Sequence, residues 1–323
     1  MKRINIGLLG LGNIGSGTYK VLELNRAHIE ATTGLDLRIT KILEIDTQRD
    51  RGFTVPPGVF TQDADSIFAD PDIQIVIELL GGVEPATSFM ASALKAGKSV
   101  VTANKAAIAE NFELLTEAAA ANGALLRYEA SVGGGIPLIG AITEHLCANE
   151  FTELQGILNG TTNYILTKMT EEGRSYDDVL KEAQELGFAE ADPTADVEGH
   201  DVANKLSILM SLVFDKRIKP DEIQTTGISK LTAADFKEAK DDGCVIKLLA
   251  SAFRTPDGKC ECFVQPSRLN KTHPLADVRN EFNALFLTGN AVDSLMLYGK
   301  GAGPFPTASA VLGDVIAIAK ILK

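Results

Sequence analysis

The chain has 323 residues, of which 45% are hydrophobic and 23% charged, and its formal net charge is −12. This length and composition are ordinary for a globular protein of two lobes. The negative charge argues against nucleic acid and anionic membrane surfaces as partners. No basic leader with an apolar core opens the sequence, and no apolar run approaches the roughly 18–20 residues that span a bilayer. The four cysteines lack C-x-x-C spacing, which favours unreactive thiols, and we expect a cytoplasmic protein.

A glycine pattern near the N-terminus is the first feature that indicates chemistry. Gly10, Gly12 and Gly15 form G-x-G-x-x-G between a predicted strand at 2–6 and a predicted helix at 16–22. In that context the first glycine makes a tight turn and the second lets the backbone approach a pyrophosphate. The third lets the helix pack closely on the sheet, with its N-terminal N–H groups facing the anion. A purely structural turn is the alternative, but the position after a strand favours dinucleotide binding.

Strands and helices alternate over the first 130 residues. Apolar runs predict strands at 37–43, 73–80, 99–102 and 124–130, and helical composition marks 84–96 and 106–122. Each of these helices ends near a glycine, Gly97 or Gly123, that suits the position after a helix. The alternation predicts an α/β fold with a doubly wound parallel sheet and right-handed crossovers. We therefore assign residues 1–130 to an N-terminal Rossmann-type, dinucleotide-binding domain.

The pattern changes after a glycine-rich break at 133–137. A helical stretch to about 147 and a strand at 154–158 come next, then helices near 163–171, 176–187 and 201–214 and strands near 245–253, 260–265 and 283–289. This order predicts a second, mixed α/β lobe over 131–306. The tail at 307–323 is predicted to form an amphipathic or buried helix that packs back on the first lobe.

Lys105 is the first candidate for chemistry outside the glycine pattern. It lies in the segment Thr102-Ala-Asn-Lys105, directly after the predicted strand at 99–102. Ligands bind at the carboxyl ends of the strands in open α/β sheets, so this position favours a role at the site. The alternative is a solvated lysine that opens a helix, where its charge opposes the helix dipole.

Lys205 lies four residues after Asp201 on a predicted amphipathic helix, so their side chains meet. A surface ion pair would explain this spacing alone. Upstream, however, five acids fall within twelve positions: Glu190, Asp192, Asp196, Glu198 and Asp201. Such a segment can hold an ammonium substrate or a divalent cation, and the spacing does not decide between them.

Hydride transfer to a carbonyl also requires a proton on the carbonyl oxygen. A lysine in a closed cleft has its pKa lowered towards working pH and can supply that proton. Histidine is the commoner choice, and of the four histidines only His200, beside the acidic segment, stays open as an alternative.

Five separated segments resemble the homoserine dehydrogenase family, in order and from about residue 4 to the C-terminus. They are Thr102 to Lys105, Glu129-Ala-Ser-Val-Gly-Gly-Gly-Ile-Pro137, Ile157-Leu-Asn-Gly-Thr-Thr-Asn-Tyr-Ile165, the segment from Gly187 to Lys205, and Gly299-Lys-Gly-Ala-Gly303 with Pro306-Thr-Ala-Ser309. The resemblance implies NAD(P)-dependent interconversion of L-homoserine and L-aspartate 4-semialdehyde, in threonine and methionine biosynthesis.

The resemblance also implies roles for the candidate residues. Lys205 would be the acid/base that protonates the semialdehyde oxygen, and Lys105 would assist beside the nicotinamide. Glu190 would bind substrate, while Asp196 and Asp201 would hold its amino group or position Lys205. Cofactor contacts would come from residues of the glycine turn and two further side chains: Gly10, Leu11, Gly12, Asn13, Ile14, Gly15, Asp46 and Lys105.

The choice between NAD and NADP depends on the end of the second strand. Family members that favour NADP often carry an arginine just before the aspartate there, whereas this chain has Glu44-Ile45-Asp46. Acidic residues at this place suit a ribose 2′-hydroxyl and repel a 2′-phosphate. The sequence therefore favours NAD, although Arg49 and Arg51 follow closely and could reach a phosphate.

Two further features follow from the resemblance. A monovalent cation, sodium in most of the family, would be held at Glu129, Val132, Gly134 and Ile136. The assembly would be a homodimer or higher homo-oligomer built by the second lobe.

Many family members continue into a regulatory ACT domain, whereas this sequence ends at Lys323. We therefore expect a short form without threonine feedback through such a domain.

Two other functions compete with this one. An aspartate-semialdehyde dehydrogenase needs a nucleophilic cysteine, and no cysteine lies at a suitable strand end. A catalytically silent dinucleotide sensor would bind NAD(P) and a partner protein, but it would not need both lysines and the acidic segment.

Overall fold

The computed structural model describes residues 1–322. The chain divides into two compact units. The first comprises Met1–Gly135 and the C-terminal segment from Gly303, and the second comprises Ile136–Ala302. Each unit is built around a β-sheet of its own.

The strands and helices within residues 1–322 have the following bounds. The strands are β1 (Lys2–Leu9), β2 (Leu35–Leu43), β3 (Phe60–Thr61), β4 (Ile73–Glu78), β5 (Ser99–Thr102), β6 (Leu126–Arg127), β7 (Phe151–Ile157), β8 (Gln224–Thr225), β9 (Cys244–Arg254), β10 (Cys260–Asn270), β11 (Phe282–Gly289) and β12 (Asp293–Lys300). The helices are α1 (Asn13–Thr33), α2 (Asp65–Phe68), α3 (Ala86–Lys95), α4 (Lys105–Ala121), α5 (Gly160–Glu172), α6 (Tyr176–Glu185), α7 (Thr194–Val197), α8 (His200–Val213), α9 (Ala233–Asp241) and α10 (Pro304–Ile321).

The sheet of the first unit is parallel throughout, in the order β3-β2-β1-β4-β5-β6. This order confirms the predicted Rossmann-type doubly wound sheet. Because the order reverses at β1, ligands are expected in the crevice beyond the carboxyl ends of β1 and β4. The glycine pattern follows β1 directly and therefore lies at that crevice.

Helix α10 belongs to the core of the first unit. Val311, Val315 and Ile318 are buried in the same apolar cluster as Ile4 and Ile6 of β1. Its 18 residues are long and apolar enough to cross a membrane by length and composition alone, so the expectation that no apolar run approached that length was wrong. Packing in the core accounts for this apolar face. The last residue of the predicted tail, at 323, lies outside the described residues.

The predicted strand at 124–130 is much shorter than expected. Only Leu126–Arg127 pairs with β5, and a 3-10 helix, Glu129–Ser131, follows. The backbone N–H of Glu129 donates to the Asp314 carboxylate at 2.8 Å instead of to a strand. Tertiary hydrogen bonding thus ends the strand early, although its composition favours a longer one.

The sheet of the second unit is mixed, in the order β12-β11-β7-β9-β10-β8. Its pairs are antiparallel except for β8 with β10, which confirms the predicted mixed α/β lobe. Strand β12 and helix α9 were not predicted. The helical stretch expected before 147 is only a five-residue π-helix, Ala141–His145.

Candidate functional site

Gly10 and Gly15 of the N-terminal pattern occupy positions where a side chain would clash, whereas Gly12 faces open space. Gly10 has φ +93°, and a Cβ there would lie 2.9 Å from the Leu79 carbonyl oxygen. A Cβ on Gly15 would lie 2.2 Å from the Gly10 carbonyl oxygen, so the first turn of α1 packs directly on the glycine turn. A Cβ on Gly12 would meet no atom within 4 Å, and no side chain caps α1. The turn therefore has the close backbone and uncapped helix N-terminus that suit a pyrophosphate.

Two charged side chains hold the Leu11 peptide in place. The Glu44 carboxylate accepts the Leu11 N–H at 2.9 Å, and Arg51 Nε donates to the Leu11 carbonyl at 2.9 Å. Arg51 also pairs with Glu44 at 3.2 Å and donates to the carbonyls of Arg49 and Asp46. Its side chain is only 6% exposed. Arg51 is therefore committed to the loop after β2 and does not project as a phosphate ligand.

A cavity of about 580 Å³ opens beside this turn in the first unit. Its walls include the glycine turn, the ends of β2 and β4, and acidic and apolar side chains: Gly10, Gly12, Glu44, Ile45, Asp63, Asp65, Leu80 and Phe89. The volume is in the range of small-molecule and cofactor sites. Within the described chain Asp46 does not line it. Asp46 is exposed, and its carboxylate accepts the N–H groups of Gln48 and Arg49.

Lys105 is the first residue of α4 and is partly buried. Asn104 caps this helix, since its side-chain oxygen accepts the Ala107 N–H at 3.1 Å. The Asn104 backbone N–H donates to the Thr102 hydroxyl at 2.9 Å, and its side-chain amide donates to the Gly82 carbonyl at 2.6 Å. The position of Lys105 after β5 is thus fixed by hydrogen bonds from Asn104 to the end of β5 and to the loop after β4.

Lys205 lies on α8 in the second unit and is 9% exposed. Its ammonium donates to the Asp201 carboxylate at 2.7 Å and to the Leu158 carbonyl, just after β7, at 2.5 Å. Asp201 is also buried, so the surface ion pair considered from the sequence does not describe this contact. A buried lysine held by a carboxylate is a group that can carry a proton in a protected site.

Asn159 joins the acids around Lys205. Its side-chain amide donates to Asp196 at 2.7 Å and to Asp201 at 2.9 Å, while its oxygen caps α5 by accepting the Thr162 N–H. Burial raises the pKa of Asp196, and the hydrogen bond from Asn159 opposes that shift. One amide thus holds two carboxylates beside the Lys205 ammonium.

The remaining candidates of the acidic segment lie outside this cluster. Glu190 and His200 are exposed, and within residues 1–322 the Glu190 side chain makes no hydrogen bond or ion pair. Asp192 caps the turn before α7 by accepting the N–H and hydroxyl of Thr194. No group of three or more His, Cys, Asp or Glu side chains in the described residues is placed to hold a metal ion.

The glycine-rich turn proposed for a cation has a buried acidic residue at its start. Glu129 and Val132 are buried, and Gly133 and Gly134 have φ of +76° and +56°. Consecutive left-handed residues favour glycine and turn successive carbonyls in different directions. The Ile136 carbonyl accepts the Leu138 N–H at 2.8 Å.

Sequence reasoning missed three side chains that organise these sites. Asn159 stands in the quoted segment Ile157 to Ile165, and its position before a helix was the available signal. Glu44 was considered only for the negative charge at the end of the second strand, and its contact with Leu11 joins residues 33 positions apart. Glu78 lies inside the predicted strand at 73–80, and the sequence of that strand has the pattern of any buried strand.

Comparison with known proteins covers almost the whole chain. The family model for the homoserine dehydrogenase NAD-binding domain matches residues 10–129, and the model for homoserine dehydrogenase matches residues 137–316. Homoserine dehydrogenase of Bacillus subtilis is 44% identical over 325 residues, covering 100% of this chain and 74% of that protein.

Solved structures agree with this result. A homoserine dehydrogenase from Thiobacillus denitrificans has a TM-score of 0.94 at 41% identity, covering 99% of this chain and 74% of that one. A hyperthermophilic archaeal homoserine dehydrogenase in complex with NADPH has a TM-score of 0.83 at 26% identity, covering 99% of both chains. The glycine turn, the buried lysine cluster and these matches together show that the chain belongs to the homoserine dehydrogenase family of nicotinamide-dependent oxidoreductases.

Proposed function

We propose that Lys205 is the acid/base of this chain in the interconversion of L-homoserine and L-aspartate 4-semialdehyde. The buried contact of its ammonium with Asp201 and with the Leu158 carbonyl supports this role most directly. The nicotinamide cofactor, when bound, exchanges a hydride with the carbon that carries the substrate oxygen. In the reductive direction, Lys205 donates a proton to that oxygen, and in the oxidative direction it takes the proton back.

Asp196, Asp201 and Glu190 are proposed to bind the substrate. The ammonium group of homoserine needs carboxylate partners, and Asp196 and Asp201 already share one amide donor, Asn159. A bound ammonium would favour the charged form of Asp196, whose pKa is raised by burial in its absence. Glu190 is exposed and would contribute from the rim of the site.

The cofactor is proposed to bind at the glycine turn, through Gly10 to Gly15, with Lys105 beside the nicotinamide. NAD is the proposed preference. Arg51 is held by Glu44 and by three backbone carbonyls, so it does not offer a cation to a 2′-phosphate. Asp63 and Asp65 add negative charge to the cavity wall. Asp46 lies after the strand end and would approach the ribose from outside that wall.

Ile45→Arg tests this preference. Ile45 is exposed and lines the cavity, so the new guanidinium has room to meet a 2′-phosphate. We expect kcat/KM with NADP, relative to NAD, to rise about tenfold, the scale of one charge-assisted contact. An unchanged ratio would show that cofactor choice is made elsewhere.

A monovalent cation, sodium by preference, is proposed at Glu129, Val132, Gly134 and Ile136. A buried carboxylate beside left-handed glycines supplies the hard oxygen donors that such an ion needs. Turnover measured in a buffer with an organic cation, with and without added sodium or potassium, tests the site. Activation that Glu129→Gln abolishes is expected, and equal turnover in all buffers would argue against the cation.

The oligomer is proposed to be a homodimer formed through the second unit. Strand β12 ends the sheet order, and its Met296 and Tyr298 side chains are exposed. An unpaired edge with exposed apolar residues is an association surface. Light scattering should give a dimer mass that Met296→Lys shifts towards the monomer, and a monomeric wild type would refute the proposal.

A cytoplasmic location is proposed as well. The four cysteines are free thiols, which is typical of a reducing compartment.

Homoserine oxidation with NAD and with NADP is the experiment that tests the activity as a whole. The expected result is formation of reduced cofactor that depends on L-homoserine. Absence of turnover, with cofactor still bound, would instead support the dinucleotide sensor.

A further inference from the structure

We propose that Glu78, at the carboxyl end of β4, is a positioning residue that sets the place of Lys105 in the first unit. This inference rests on the proposed function of Lys105 beside the nicotinamide. Lys105 itself follows β5, and Glu78 acts on it through the residues between them.

The Glu78 carboxylate is fully buried, with 0% exposure. One oxygen accepts the Leu80 N–H at 2.7 Å, and the other accepts the Thr102 hydroxyl at 2.6 Å. Within residues 1–322 Glu78 makes no ion pair. A buried carboxylate without a cation is costly, so its hydrogen bonds must hold it in place.

Two connections lead from this carboxylate to Lys105. Thr102 Oγ1 donates to Glu78 and accepts the backbone N–H of Asn104 at 2.9 Å. Asn104 caps α4, which Lys105 opens, and its side-chain amide donates to the Gly82 carbonyl at 2.6 Å. Glu78 thus fixes both the end of β5 and the loop after β4, and Asn104 joins the two.

The loop after β4 has a backbone that needs such support. Gly81 and Gly82 have φ of +81° and +70°, in the left-handed region. Burial raises the pKa of Glu78, while hydrogen bonds from Thr102, Leu80 and Gly81 act against that shift. The loop donors therefore favour the charged form, and the carboxylate in turn orders the loop.

The chemistry of the two acceptor oxygens explains why a carboxylate stands here. A glutamine offers one acceptor oxygen and an NH₂ group, which would face either the Leu80 N–H or the Thr102 hydroxyl. If the glutamine oxygen keeps the Leu80 N–H, its NH₂ group can only donate to Thr102, so the Thr102 O–H loses its acceptor. Glu78→Gln therefore alters that arm of the network at nearly constant volume. A role limited to stability would lower the melting temperature and leave kinetics alone, whereas a positioning role changes turnover.

A double-mutant cycle between Glu78→Gln and Lys105→Ala separates these possibilities. We expect each single variant to lower kcat for homoserine oxidation at least tenfold, and Glu78→Gln to change the Kd for NADH less than threefold. In the double variant, Glu78→Gln should cost no further activity, because its effect passes through Lys105. Multiplicative losses in the double variant, or an unchanged kcat in Glu78→Gln, would overturn the inference.

Further variants keep the test valid if Glu78→Gln folds poorly. Thr102→Val removes the hydroxyl between Glu78 and Asn104 and should also lower kcat at least tenfold, and Thr102→Ser should restore it. The matched control is Ser99→Ala, which removes a buried hydroxyl that accepts the Leu125 N–H at the other end of β5. Ser99→Ala should lower the melting temperature and keep kcat.

The turnover of Lys105→Ala distinguishes a failure of the proposed role of Lys105 from a failure of the inference about Glu78. Unchanged turnover in Lys105→Ala would refute the proposed role of Lys105 and this inference together. A large loss in Lys105→Ala, with wild-type kcat in Thr102→Val, would refute only the inference about Glu78.

Discussion

The second unit contains two buried lysines that differ in their partners. Lys205 is 9% exposed and Lys247 is 3% exposed. Lys205 donates to a carboxylate, Asp201, and to the Leu158 carbonyl. Lys247, on β9, donates to the Asn163 side-chain oxygen at 3.0 Å and to the Val278 carbonyl. Both of these acceptors are neutral.

The different partners of Lys247 and Lys205 have different consequences for the charge on each ammonium group. Burial lowers the pKa of Lys247 to about 8, and the acids nearby, Glu171 and Asp277, only partly oppose the shift. Lys205 has Asp201 in direct contact, with Asp196 and Asn159 next to it. Its cluster can accept a substrate with an ammonium group, whereas the surroundings of Lys247 link β9 to α5 and to the loop at Val278.

This comparison shows that a perturbed pKa is a poor guide to a site by itself. The lowered pKa of Lys247 would by itself make it a site candidate, since strongly shifted groups cluster at functional sites. The partners of each lysine favour Lys205 instead. Carboxylates and an amide around an ammonium can move a proton and hold a substrate, while two neutral carbonyl groups only hold a helix against a strand.

The largest expected effect separates the two lysines directly. Lys205→Ala should lower kcat for homoserine oxidation by two or more orders of magnitude, as expected for lost proton transfer. NADH binding, measured by fluorescence, should survive, because the glycine turn lies in the other unit. Lys247→Met is the matched control, a second buried lysine whose loss should leave kcat within about twofold. Equal losses of kcat in both variants would show that the partners of these two lysines do not distinguish a catalytic lysine from a structural one.

A smaller effect is expected at the carboxylate that Lys205 contacts. Asp201→Asn keeps the size and one acceptor oxygen but removes the charge beside the ammonium. We expect kcat to fall about tenfold and the pH at half-maximal kcat to shift downwards, since a lost anion no longer favours the charged lysine. The pH profile of kcat measures this shift. A profile identical to that of the wild type would show that Asp201 does not tune Lys205.

The sequence predicted the elements that depend on local pattern. The glycine turn, the position of Lys105 after a strand and the spacing of Asp201 and Lys205 are all local features. The contacts that decide their chemistry join distant residues and have no such pattern. Asn159 reaches Asp196 and Asp201 across 37 and 42 positions, and Glu78 reaches Thr102 across 24. The early end of β6 has the same cause, because Asp314 binds Glu129 from 185 positions away.

The substitution with the smallest expected effect on kcat, Lys247→Met, also gives the sharpest test of how Lys247 differs from Lys205. Its pKa in the folded chain is about 8, below the roughly 10.4 of an unfolded lysine, so between these values the unfolded chain binds more protons. The free energy of unfolding should therefore rise with pH across that window, by about 3 kcal/mol from this group. Other groups titrate there too, but they are shared by the wild type and Lys247→Met. Urea unfolding at pH 8 and at pH 10 should show a rise in the wild type that Lys247→Met lacks. A rise of equal size in both proteins would mean that Lys247 stays charged when buried, and its neutral partners would then no longer distinguish it from Lys205.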